Sequence, residues 1–300
     1  MNKYINKIKN SNYLKDTTKL LYLKHFDIIE KEISKKKLIN VIKEPEKFKK
    51  DLLIYCSKHE GRIGKKLGDH FKESYLTSIM SLFIHNEELR EKNKKLFEKW
   101  KEIQKQIKKP IEKKYNSNKP TERQKEALID FDKLIEIKNS LPIGSLERLL
   151  FCMYIIIPPV RADYYKTILY DNDEIPDNTN NYIQNGVLYL HNFKTSEIYK
   201  EIKTILPKEL KQEIEFSLKK FPRNYLFINK QKKPFKRNSF TKWSNSILKK
   251  YVNKNFSLTM FRHIYISKKI DLNNMNGSER KKISSKMAHS NNMQLNYLWK

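Results

Sequence analysis

Glycine is scarce, at six residues in 300. Little is left for a glycine-rich loop around a nucleotide phosphate, and neither GxxxxGK[ST] nor GxGxxG occurs. Cysteine is scarcer still: Cys56 and Cys152 both sit in apolar, helical-looking segments and read as core fillers rather than nucleophiles. Two such thiols do not make a disulfide scaffold, and a reducing, intracellular compartment is the expectation. The seven histidines show no pairing with cysteine at zinc spacing, so no structural metal is expected. The longest apolar run, Leu149–Ile157, is far short of the ~20 residues a membrane span needs. The opening MNKYINKIKN lacks the apolar stretch of a signal peptide, and no membrane partner is expected. Acid is the remaining deficit, with 34 Asp+Glu against 63 Lys+Arg and a net charge of +29. Of those 63 cations only 9 are arginine, which makes each arginine informative.

The excess charge is evenly spread. Residues 1–120 hold 31 basic and 16 acidic side chains, a net of +15, and residues 121–300 hold the remaining 32 and 18, a net of +14. A basic arm on a neutral body is thereby excluded, and both halves repel themselves unless a polyanion lies against them. With 38% hydrophobic and 12% aromatic residues, the chain is able to build real cores and is not a disordered polycation. Its length suits two domains.

The first half reads as helices. Asp16 is placed to cap a segment through Leu20, Leu23, Phe26 and Ile33. Pro45 suits a first helical turn before Phe48, Leu52 and Tyr55. Gly61, Gly64 and Gly68 mark a loop, after which Asp69 caps residues 71–83. A fourth helix is expected over residues 87–109, stopping at Pro110. On it Trp100, Ile103 and Ile107 form an apolar stripe, while Lys101, Lys105 and Lys108 form a basic one, read either as a solvated face or as a phosphate-tracking one. Residues 110–120, PIEKKYNSNKP, lose periodicity and read as a linker, and Thr121 with Gln124 forms a capping box that opens a new domain.

The second half mixes types. Helical patterns fall over residues 121–138, 145–157 with Ser145 as cap, 161–169, 207–220, 238–251 and 258–270. Val187–Phe193 and Glu197–Ile205 read as a hairpin around Lys194–Ser196, and Tyr225–Ile228 as a short strand. The expected class is α+β, mostly helical, with an all-helical N-terminal domain and a small antiparallel sheet in the second.

Three patterns here bear on chemistry. In PPVRADYY, residues 158–165, two prolines force a turn and hold Arg161 at a rigid corner. In SLTMFRHIYIS, residues 257–267, Arg262 is embedded in an apolar helix, which costs desolvation unless an anion or a carboxylate meets it. In MAHSNNMQLNYLWK, residues 287–300, His289 precedes Tyr297 by eight positions. Each has a bland reading: a surface arginine, a structural salt bridge, a tyrosine anchoring the core.

In this order, together with FKTS at 193–196, the patterns resemble the tyrosine recombinase (phage integrase) family. The likeness is closest to the Crypton-like and virophage-like integrases of mobile elements and viruses. The resemblance covers most of residues 121–300. Before that it is one of architecture alone: residues 1–116 as a helical core-binding domain that clamps DNA, and 117–300 as the catalytic domain.

The resemblance implies DNA recombination and integration through a 3′-phosphotyrosyl intermediate, with no metal or nucleotide cofactor. Arg161 and Arg262 would donate paired hydrogen bonds to the nonbridging phosphate oxygens, with His289 as a third donor. Tyr297 would be the nucleophile, and Lys194 the general acid toward the departing 5′-oxygen, with Lys200 and Lys203 as rivals. Thr259 stands where the family usually has His or Lys: either water or His289 takes the tyrosine proton, or Thr259 merely hydrogen-bonds a phosphate oxygen; the adjacent His263 reads as a packing residue rather than a base. Double-stranded DNA is the implied partner, gripped in part by Lys101, Lys105 and Lys108. The implied assembly is a homotetramer on two DNA sites, a monomer or weak oligomer when free, in a host nucleus or viral factory if the element is viral. The alternatives are a type IB topoisomerase using the same chemistry, and a catalytically inert basic DNA-binding protein.

Overall fold

The computed structural model describes residues 2–61, 64, 66–171 and 173–299. Residues 62, 63 and 65 of the expected glycine loop, and Lys300, lie outside the described residues. The chain divides into two compact units, Met1–Ser117 and Asn118–Lys300. No helix among the described residues is long and apolar enough to cross a membrane.

The first unit is helical, with long helices Asp16–Ile28, Pro45–Lys58, Asp69–Ile84 and Lys94–Asn116. Phe48, Tyr75, Phe83 and Trp100 fill its core, and the buried Trp100 indole donates to the Ile42 carbonyl at 2.9 Å. Pro45 opens its helix as expected. Asp16 and Asp69 stand one position inside their helices rather than at the caps, which are Lys15 and Gly68. There a carboxylate acts on the helix dipole rather than on a single N–H.

The expected helix 87–109 is two helices, Glu87–Lys92 and Lys94–Asn116, broken at Asn93. Pro110 does not stop the second. Pro110 and Gln106 are both exposed, so the proline sits on the solvent side rather than in the core, and helix continues through much of the expected linker.

In the second unit the Thr121–Gln124 capping box is formed in both directions, and Ser145 accepts from the Arg148 N–H at the start of Leu146–Ile155. The expected helix 121–138 is interrupted between Ala127 and Phe131. The expected helix 258–270 is α-helical over Leu258–Ile264 and widens to a π-turn over Tyr265–Lys269.

Among the described residues the sheet has four strands in the order β1 (Ile168–Leu169), β2 (Tyr182–Gln184), β3 (Val187–Leu190) and β4 (Ile202–Ile205). β2, β3 and β4 pair antiparallel, as expected, and the short β1 joins β2 in parallel. β2 and β3 meet across Asn185 and Gly186, both with positive φ (51° and 71°), a tight turn that glycine favours. The expected β3–β4 hairpin exists with a longer excursion, since residues 191–201 include a short helix, Ser196–Tyr199. Tyr225–Ile228 contributes only single bridges, from Ile168 to Tyr225 and from Ile228 to Pro234. The inner face of the sheet, Ile183, Leu188, Leu190 and Ile202, packs in one core with Leu150, Phe151, Tyr154 and Phe261.

Candidate active site

The corner that carries Arg161 is built by exclusion. Pro158 and Pro159 prevent the helix Leu146–Ile155 from running on, and in place of the expected helix 161–169, residues 161–166 are bends and turns and 168–169 form β1. Side chains replace the helical ladder there: the Tyr154 hydroxyl donates to the Arg161 carbonyl at 2.5 Å, and Tyr164 to the Met153 carbonyl at 3.4 Å. Asp163, fully buried, accepts from Arg237 at 2.7 Å. The backbone at Arg161 is thereby tied from several directions, while its side chain is half-buried and donates to the Ala288 carbonyl at 3.3 Å.

Arg262 is completely buried. Its Nη1 donates to the carbonyls of Pro159 at 2.9 Å and Met287 at 2.8 Å, linking its helix to the proline corner and to the His289 turn. Its Nη2 lies 2.6 Å from His289 Nδ1. A guanidinium only donates, so Nδ1 is the acceptor and the imidazole proton sits on Nε2. Burial, with Arg262 and Arg161 adding repulsion, pulls the His289 pKa down to about 3, so the ring is neutral at physiological pH. Burial also lowers the Arg262 pKa, with the Tyr297 phenol pulling the other way.

Arg148 and Arg237 meet carboxylates, Glu213 at 2.6 Å and Asp163 at 2.7 Å. Among the described residues neither Arg161 nor Arg262 has such an ion pair, so the structural salt bridge left open for Arg262 is not what holds it. Two buried donors in this group, Arg262 Nε and His289 Nε2, have no hydrogen-bond partner. An unpaired buried donor costs about 1–3 kcal/mol, and two of them lie here on side chains in contact with each other.

Tyr297 joins this group. Its ring centroid is 4.6 Å from the Arg262 guanidinium carbon and 5.3 Å from the His289 ring. The short helix Asn291–Leu295, capped by Ser290, delivers the tyrosine into a small apolar cluster with Ile266, Leu272 and Met287. Two residues not singled out as site residues from sequence hold its backbone: Ser267, in the π-turn, donates to the Tyr297 carbonyl at 3.1 Å and accepts from the Trp299 N–H at 2.9 Å. His263 contacts the same carbonyl through Nδ1 at 3.1 Å and stacks on Trp299 at 4.1 Å. Burial draws the His263 pKa down to about 4, consistent with a neutral packing residue. No local pattern marks Ser267 or Trp299, because their role exists only once the tail folds back.

Lys194 is exposed in the turn after β3. The next residue, Thr195, donates to the Ala288 carbonyl at 3.2 Å, the same oxygen that takes Arg161, so the turn is moored beside the cluster. Lys203 is occupied on β4, paired with Glu201 at 3.1 Å and lying over the Tyr189 ring. Lys200 is exposed at a positive φ of 55°. Thr259 is exposed on the helix that buries Arg262. In the first unit, Lys101 and Lys105 are exposed and Lys108 is half-buried; Lys101 pairs with Glu98 at 2.7 Å and Lys108 with Glu73 at 3.6 Å. Among the described residues no cluster of three or more His, Cys, Asp or Glu is placed to hold a metal.

No protein-family model and no curated protein matches the chain. Among solved structures, the crystal structure of XerA recombinase, a tyrosine recombinase, is a distant match. It is 14% identical, with a TM-score of 0.40, over 99% of this chain and 92% of that one.

Proposed function

We propose that this chain is a site-specific DNA strand transferase of the tyrosine-recombinase type, an integrase of a mobile or viral element. The observation that carries the reading is the pair of partnerless buried donors, Arg262 Nε and His289 Nε2, on side chains in contact with each other and with the Tyr297 ring. A phosphodiester supplies the oxygens such donors lack, and supplies more negative charge as phosphorus becomes five-coordinate. Arg161 adds a guanidinium beside them. Preorganised donors of this kind are worth roughly 10²–10³ in rate each.

In the reaction, the Tyr297 oxygen forms a bond to phosphorus and the bond from phosphorus to the 5′-oxygen breaks. The phenol proton goes to water, because Arg262 occupies His289 Nδ1 and Nε2 carries the proton, which leaves the ring no free lone pair. Lys194 hands a proton to the departing 5′-oxygen. The phosphotyrosyl ester conserves the bond energy, so the released 5′-hydroxyl of another strand can reverse the step without an external energy source.

The test is covalent capture. The full-length protein is incubated with a pool of nicked duplexes of randomised sequence and boiled in detergent. An adduct is expected, enriched for one sequence class, and absent in Tyr297→Phe. Adduct persisting in that variant moves the nucleophile elsewhere, and no adduct with the wild-type chain leaves a basic DNA-binding protein.

A further inference from the structure

Asn181 lies just before β2, is only 4% exposed, and uses both ends of its carboxamide completely. Its Nδ2 donates to the Asp163 carbonyl at 2.8 Å and to the Asn192 carbonyl at 3.0 Å. Its Oδ1 accepts from the N–H groups of His191 at 2.8 Å and Asn192 at 2.7 Å. Two carbonyls face one end and two N–H groups the other, so only this orientation of the amide satisfies all four.

One buried side chain therefore joins two segments that no strand pairing joins. The first is the corner two residues beyond Arg161. The second is the root of the excursion between β3 and β4, two residues before Lys194. The far side of that turn is fixed separately, by Thr195 on the Ala288 carbonyl shared with Arg161. Lys194 stands between these two moorings.

We propose that Asn181 is a positioning residue that sets the Lys194 turn against the Arg161 corner, and so governs proton delivery to the leaving oxygen without touching DNA. This rests on the strand-transfer reading above. A general acid contributes about 10²–10⁴ in rate, and small misplacements forfeit much of such a factor. The contribution vanishes when the leaving atom needs no proton. With sulfur in place of the bridging 5′-oxygen, the bond from phosphorus to sulfur breaks and the sulfur departs as a thiolate.

The experiment measures single-turnover adduct formation by the full chain on the captured duplex, with oxygen or sulfur at the bridging position. Asn181→Ala is expected to slow cleavage of the oxygen substrate by at least about tenfold and to recover near-wild-type rate on sulfur, in parallel with Lys194→Ala; Arg161→Ala is expected to stay slow on both. Asn181→Asp keeps the oxygen that faces His191 and Asn192 but loses both donors, and it serves as the second variant if thermal melting shows that the alanine variant does not fold. Equal slowing on both substrates, or no slowing on oxygen, overturns the proposal while leaving the chemistry of Tyr297 intact. A wild-type chain that forms adduct with neither substrate instead removes the strand-transfer reading itself.

Discussion

Arg161 and Arg262 occupy different physical situations, and their substitutions should fail in different ways. Arg161 is half-buried with a single bond to a carbonyl, so Arg161→Ala is expected to cut adduct formation by roughly 10²–10³ with little change in melting temperature. Arg262 satisfies two buried carbonyls and His289 Nδ1. Arg262→Ala strands all three, at about 1–3 kcal/mol for each unpaired buried group, and should be detected first as lost stability in urea titration. A melting temperature equal to wild type would mean the carbonyls find other partners.

The two buried histidines give a pH dependence with a defined sign. Their folded pKa values, about 3 for His289 and about 4 for His263, lie below the unfolded value. Below that value the unfolded chain binds protons that the native state does not. The stability they contribute is therefore full above about pH 6.5 and falls by roughly 1.4 kcal/mol per pH unit per histidine toward pH 4. Urea midpoints at pH 7.5 and pH 5 should show the loss, and His263→Gln should make it shallower; an unchanged pH dependence in that variant would locate the acid sensitivity elsewhere.

At the scale of elements, local chemistry explains what could be read in advance. The Thr121–Gln124 box, the Ser145 cap and Pro45 act within one helical turn, and each starts a helix where expected. Residues 161–166 are bends and turns where a helix is expected, and there the carbonyls of Arg161 and Asp163 accept from Tyr154 and Asn181, from elsewhere in the fold. The strand β2 is not legible in the sequence, since it is three residues long and its signal, Asn185–Gly186, lies between short runs.

The turn before the helix that leads to the proline corner offers a sharp test. Gly144 has φ +76°, and a Cβ there would lie 2.8 Å from the Phe216 carbonyl oxygen. Gly144→Ala should cost more than the ~1–2 kcal/mol of left-handed backbone strain alone, measured by chemical unfolding. A neutral effect would show that the helix Lys208–Lys220 yields without loss.

Across the whole molecule the dominant feature is a charge of +29 shared by both units. Duplex binding should weaken steeply with salt. Lys101→Glu combined with Lys105→Glu should lower the magnitude of the log–log slope by up to about two, at ~0.9 per phosphate contact; an unaltered slope would free that helix from the interface. Strand exchange between two duplexes separates a recombinase from a topoisomerase, which would relax supercoiled circles as a monomer.

The sequence by itself determined where the Pro45, Thr121 and Ser145 helices start, that the chain holds enough apolar residues for two cores, and that a large positive charge lies in both halves. Those properties follow from interactions within a turn or from composition. Tertiary structure alone decided that Arg161, Arg262, His289 and Tyr297 share one locus and that the turn carrying Lys194 is moored beside them through Thr195. It also left Arg262 Nε and His289 Nε2 without partners. Contacts spanning up to 127 positions of chain, such as that from Arg161 to the Ala288 carbonyl, depend on how the proline corner, the buried helix and the C-terminal turn pack, and no local pattern encodes that packing.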